Sequence, residues 1–251
     1  MSGTPAGMSE AEWKARRDLA ACYRLVAIHG WTDLIANHLT LRVPGEPGAF
    51  LINPFGLLFE EVTASSLVKI DLDGNVLAPT EYEVNRTGFV IHSAIHAARH
   101  DANCVIHLHS RAGVAVSMLE TGLLPLNQTA MAIYHDIATH EFEGVALNLE
   151  ERERLAADLG DKHLMLLRNH GILTVGRTVG ETFLRTYYLE WACDVQLRAM
   201  ATGQPLHAAD PAVVASVAPF GGPEAMAQFG EGLLWPTLLR KLDRECPDYA
   251  T

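Results

Sequence analysis

Pairs of short apolar runs joined by very short links constrain this chain most. "HLTLRV" and "AFLINP" flank Pro44 to Gly48, a turn rich in proline and glycine. "HLMLLR" and "ILTVG" flank only "NHG". Strands joined by so little chain lie antiparallel, because a parallel return needs a dozen or more residues. "LVKIDL" and "NVLAP" around Asp73-Gly74 predict a third hairpin.

Helical patterns are interleaved with these runs. Leu19, Tyr23, Val26 and Ala27 share one face of a helix from Glu10 to about His29, stopped at Gly30. Gly88 to Arg99 follows with Thr87 as its cap, and "SRAGVAVSMLETG" predicts a helix ended by Gly122. Asn148 with Glu151, and Thr178 with Glu181, have capping-box spacing. They open helices running to Gly160 and over about 179–201. Residues 127–147 read as irregular. "QPLHAADPAVVASVAPFGGP" reads as an extended surface connection, and 224–245 as one or two helices with Pro236 in a first turn. Residues 1–9 and "CPDYAT" read as tails. The class is α/β with a mixed or mostly antiparallel sheet, in one domain over 1–251.

A formal net charge of −11 supplies no basic footprint for nucleic acid and none for an anionic membrane surface. No apolar run approaches the roughly 18 residues of a membrane span, and the N-terminus lacks the order of a signal peptide. Cys22, Cys104, Cys193 and Cys246 are far apart with no C-x-x-C pair. They read as free thiols in a reducing, cytoplasmic compartment.

Nine of the 12 histidines fall between His92 and His170. In "NCVIHLHS", His107 and His109 are two apart in a strand and project from one face. Buried imidazoles each need a partner; one shared metal satisfies both, and separate bonds to backbone or carboxylates would do so too. His170, in the "NHG" turn before Gly171, can reach a neighbouring strand as a third ligand. Three protein ligands with one open position is the pattern of catalytic zinc. His92 and His96, at i and i+4 on one helix, have metal-binding spacing or form a polar flank.

"NHLTLRVP", "INPFGLLFEEVTASSLVKI", "GFVIHSAIHAARHDANCVIHLHSRAGVAVS", "LLRNHGILTVG" and "LLRKLDR" together resemble the class II aldolase/adducin family, in its order, from about Glu10 to Tyr249. The adducin-like branch is the nearest in pattern, through its head domain only. The resemblance implies a three-layer α/β/α fold with a central, mostly antiparallel sheet. It also implies a homo-oligomer, a cyclic tetramer, whose arm at 204–251 completes the interface. It assigns His107, His109 and His170 to one divalent metal ion per subunit, zinc first, with manganese or iron as alternatives.

Two departures stand out. The family's proton-moving carboxylate lies nineteen residues before the first histidine of the H-x-H pair, where this chain has Gly88. The phosphate-holding hydroxyls correspond to Pro54-Phe55-Gly56 and Arg86-Thr87, while Asn37 matches a phosphate-contacting asparagine. Phe55 supplies an apolar wall and Arg86 a fork for a carboxylate; a plain salt bridge is the other reading of Arg86. Tyr249 and His135, in regions that approach a neighbour's site in the family, are the candidate proton carriers, alongside an acidified water.

The expected function is a metal-dependent carbon–carbon lyase of retro-aldol type. It would release a small aldehyde from a non-phosphorylated hydroxy or carbonyl substrate with an aromatic or apolar body. The alternatives are a decarboxylase of hydroxylated aromatic acids, an iron-dependent oxygenase, and a non-catalytic oligomerisation module like the adducin head.

Overall fold

A computed structural model describes residues 4–144 and 149–251, without the side chains of 86–88, 149 and 150. Its elements run α1 Glu10–Ile28, β1 His38–Arg42, β2 Phe50–Ile52, β3 Val68–Ile70, α2 Arg86–Ala98, β4 Cys104–Leu108 and α3 Arg111–Ser117. After these come α4 Gln128–Ile133, β5 Ile137–His140, α5 Leu149–Leu159, β6 Leu164–Leu167, β7 Gly171–Gly176 and α6 Val179–Ala201. The chain closes with α7 Pro211–Val217, α8 Pro223–Phe229 and α9 Trp235–Glu245.

The strands form one sheet in the order β3-β2-β1-β4-β7-β6-β5. Every neighbouring pair is antiparallel except β5 with β6. The expected fold class holds: a single, mostly antiparallel sheet flanked by helices. Its strands read as unbroken apolar runs because both faces are covered. Val105, Leu173, Val175, Met165 and Leu167 pack under α2 and α5 with Ile91, Ile95 and Leu155. The alternate residues Leu39, Ile106, Leu108, Leu164 and Ile172 face α1, α3 and α6. Each fully buried aliphatic side chain contributes about 1.5–3 kcal/mol.

Helix starts follow local chemistry. Ser9 Oγ accepts from Glu12 N at 3.1 Å to open α1, and Thr178 accepts from Glu181 N at 3.2 Å to open α6. Gly30, at φ +69°, turns the chain out of α1. The Tyr23 hydroxyl accepts from Leu39 N at 2.9 Å and Asn53 N at 3.1 Å. It thereby ties α1 to the sheet edge where β1 begins and β2 ends.

Several expectations need correction. Helix α2 begins at Arg86, so Thr87 lies in its first turn and does not cap it. Helix α3 stops at Ser117, short of Gly122. Beyond Asp73-Gly74 only one bridge forms, Ile70 with Val76. The irregular segment contains α4 and β5, and Asn148, the expected cap of α5, lies outside the described residues. The 204–223 connection contains α7, opened by Asp210 accepting from Ala212 N at 2.7 Å, with Pro211 in its first turn. Residues 1–3 lie outside the described residues, but Met8 packs on the core. At the other end, Ala64 N and Ser65 N donate to the carbonyls of Tyr249 and Thr251, both at 2.9 Å. The four thiols are free, as expected.

Candidate metal centre

The site lies along the sheet edge where β4 ends and β7 begins. His107 is one residue from the end of β4, and His109 follows the strand directly. His170 sits in the turn from β6 to β7. Its backbone N donates to Leu167 O at 3.1 Å, and Asn169 takes the left-handed conformation at φ +56°, which asparagine tolerates. A Cβ on Gly171 would stand 2.3 Å from Leu108 O. Only glycine lets this turn close against the end of β4.

The three imidazoles converge. His107 Nε2 and His109 Nε2 are 3.0 Å apart, and His109 Nε2 and His170 Nε2 are 2.9 Å apart. Proton accounting tests whether a cation fits. A carbonyl only accepts, so His107 Nδ1 donates to Ile172 O at 2.9 Å. His109 Nδ1 likewise donates to the Asp33 carboxylate at 3.1 Å. With the rings neutral, two Nε2 lone pairs therefore face each other. Burial, reinforced by neighbouring histidines, holds His107 well below the usual imidazole range. Burial, then His109 and His140, lowers His170 to about 4. A shared cation removes the lone-pair repulsion. Nitrogens bound to zinc at about 2.0–2.1 Å stand roughly 3.3 Å apart in a tetrahedral set; two of the spacings are close to this, and all three ligand atoms lie within 4.8 Å of one another. Among the described residues, no other histidine, cysteine or acid joins the group, which leaves an open position. The donor set fits a divalent metal ion.

Around the triad, Asp33 is braced by its own N–H, which donates to Asn37 Oδ1 at 2.7 Å. Asn37 is buried, and its Nδ2 has no partner among the described residues. On the α2 side, His38, His92, Thr40 and His96 are bonded end to end. Phe142 is exposed, its ring centroid 6.2 Å from that of His170.

Residues 17–197 of this chain match the class II aldolase and adducin N-terminal domain family. The chain belongs to this family. A putative aldolase class 2 protein of Caulobacter vibrioides is 54% identical over 249 residues, covering 97% of this chain and 94% of that protein. Alpha-adducin of Mus musculus is 46% identical over 190 residues, 74% of this chain but 26% of adducin. An aldolase II superfamily protein from Pseudomonas syringae superposes with a TM-score of 0.92 at 46% identity, covering 98% of each chain. An L-fuculose 1-phosphate aldolase from Glaciozyma antarctica superposes with a TM-score of 0.83 at 31% identity, over 98% of this chain and 96% of that one.

Within this class II aldolase-family chain, the other expected site residues are placed unevenly. Asn37 adjoins the triad through Asp33. Phe55, half-exposed, and Gly56, at φ +97°, lie beyond the end of β2, at the edge where β1 starts. The side chains of Arg86 and Thr87 lie outside the described residues. His92 and His96 are buried and bonded within the α2 row, so neither joins the triad.

The two expected proton carriers are not brought to the triad of their own chain. Tyr249 is buried in the core and its hydroxyl donates to Asp243 at 2.9 Å. His135 is exposed and precedes the Ile137 end of β5, whereas His140 at the other end pairs with Leu167 on the triad edge. Asp33, His38 and Phe142 were not singled out from sequence. His38 and Thr40 carried a signal, since polar residues two apart in a strand share one face.

Proposed function

We propose that this chain is a metal-dependent carbon–carbon lyase of retro-aldol type. It acts on a non-phosphorylated hydroxy or carbonyl substrate with an apolar or aromatic body. The observation that carries this reading is the convergence of three imidazole nitrogens, two of which, on His107 and His109, belong to tautomers that leave their lone pairs facing each other. A divalent ion bound there, zinc by first choice, supplies Lewis-acid polarisation of a carbonyl oxygen. The protein holds each imidazole in place: Ile172 O fixes the ring of His107 and Asp33 that of His109. Asn37 Nδ2 offers a buried donor to substrate oxygen. Phe55 and Phe142 offer apolar surface in place of phosphate-binding hydroxyls. By the family resemblance, Arg86 and Thr87 are further candidate substrate contacts.

His135, and Tyr249 if it leaves Asp243, would act in the site of a neighbouring copy within a homotetramer. Exposed Phe220, Phe229 and Leu233 support association of copies. Among the described residues no helix is long and apolar enough to cross a membrane.

The test is metal analysis of the purified protein, followed by an assay for released aldehyde with hydroxy-carbonyl aromatics. Loss of both metal and aldehyde in His107→Ala is the expected result. Carbon dioxide in place of aldehyde would replace this reading with decarboxylation. Activity that stops without oxygen would replace it with an oxygenase. Similarity to alpha-adducin favours a second reading, a non-catalytic oligomerisation module. A protein that arrives metal-free and gains no stability from zinc or manganese would establish that one.

A further inference from the structure

Behind the triad, one carbonyl sets the polarity of a whole row of side chains. Ala102 O can only accept, so His96 Nδ1 donates to it at 2.9 Å. The Thr40 hydroxyl then donates to His96 Nε2 at 2.7 Å, and its oxygen accepts from His92 Nδ1 at 2.7 Å. His92 Nε2 is thereby left bare and accepts from His38 Nδ1 at 2.8 Å. The three rings are buried and none is bonded to a carboxylate among the described residues, which keeps them neutral.

The row therefore ends at His38 Nε2, a lone pair without a proton. This atom makes no hydrogen bond among the described residues. His38 and His107 are opposed across β1 and β4, with ring centroids 5.4 Å apart.

We propose that His38 determines specificity by accepting a hydrogen bond, at Nε2, from a substrate hydroxyl one carbon from the carbonyl at the triad. A fixed lone pair attracts an O–H. It repels an ether, carboxylate or phosphate oxygen placed there. The acceptor thus requires that this hydroxyl be free. Naming the carbonyl rests on the lyase reading; the acceptor itself does not.

Hydroxyacetone and methoxyacetone share the carbonyl and differ in the donor. Their binding to the zinc-loaded protein, titrated by NMR, should differ at least about ten-fold in favour of hydroxyacetone, the effect of one buried hydrogen bond. His38→Leu should bring the two within about two-fold while zinc content stays at the wild-type level, because His38 positions substrate and is no ligand. Nitrogen-15 spectra should show His38 Nε2 unprotonated in wild type. Thr40→Val, which severs the row, should release that tautomer, and Thr40→Ser should restore it. Equal binding of the two ketones, a protonated Nε2 in wild type, or zinc lost from His38→Leu would each overturn the proposal. Binding is read without turnover, so a protein lacking lyase activity would defeat the earlier reading and leave this one standing.

Discussion

Asp33 is the residue on which the geometry of His109 depends. The imidazole is exposed enough to swing, and the carboxylate at 3.1 Å both fixes its tautomer and holds its plane. Removing such a partner typically lowers metal affinity about ten- to a hundred-fold. Asp33→Ala should show that loss in a chelator-competition titration, with the fold unchanged by circular dichroism; unchanged affinity would mean His109 is oriented by something else. Gly171 sets a harder limit. A methyl there meets Leu108 O at 2.3 Å and His109 Cδ2 at 3.3 Å. Gly171→Ala should therefore lower stability by roughly 2 kcal/mol or more and lose metal as well, read by urea unfolding and metal content.

At the scale of elements, α6 is the longest helix and depends on a cap visible in the sequence. Thr178→Ala removes the acceptor for Glu181 N and should cost about 1 kcal/mol, seen as a lower Tm with metal content unchanged. The cap, the two hairpins around residues 44–48 and His170, and the H-x-H strand were legible because each is local chemistry within a few residues. Strand β5 was not: its ladder pairs Ile137 with Leu164, and nothing near Ile137 announces a parallel partner so far along the chain. Helix α7 was hidden by a composition of proline, alanine and glycine, although Asp210-Pro211 is itself a helix-start signal. Asp33 and His109 meet across 76 positions. No spacing rule reaches that far. His170 was open to reading as a third ligand because its turn stands at a strand end, and the family resemblance then assigned it to the triad.

For the whole molecule, the buried imidazoles set how it responds to acid. Burial lowers His96 to about 3 and holds His38 and His92 well below the usual range. In the unfolded chain each titrates near 6.5. Below that pH the unfolded state binds protons that the folded state refuses, so stability is complete above about pH 6.5 and falls as the pH drops toward 3. The slope is on the order of 1.4 kcal/mol per pH unit for each histidine. Glu190 acts in the opposite direction: burial raises it to about 7, so its proton favours the folded state as pH falls from 7 to about 4.5. Three histidines outweigh one carboxyl. Urea unfolding of chelator-treated protein should show stability dropping steeply below about pH 6. A flat profile between pH 6 and 4 would mean the histidine row is charged or solvated.

The triad is supplied by the end of β4 and the tight turn between β6 and β7, whereas Phe55, Phe142 and the residues around Asn37 stand on loops that meet those ends. Position of the ion and character of its surroundings are thus encoded in separate stretches of chain. Substitutions in the loops can change which molecules are admitted while the coordinating frame stays rigid. One backbone of this kind can then serve many chemistries by exchanging its rim, and Phe55 and Phe142 are the places where such an exchange would begin.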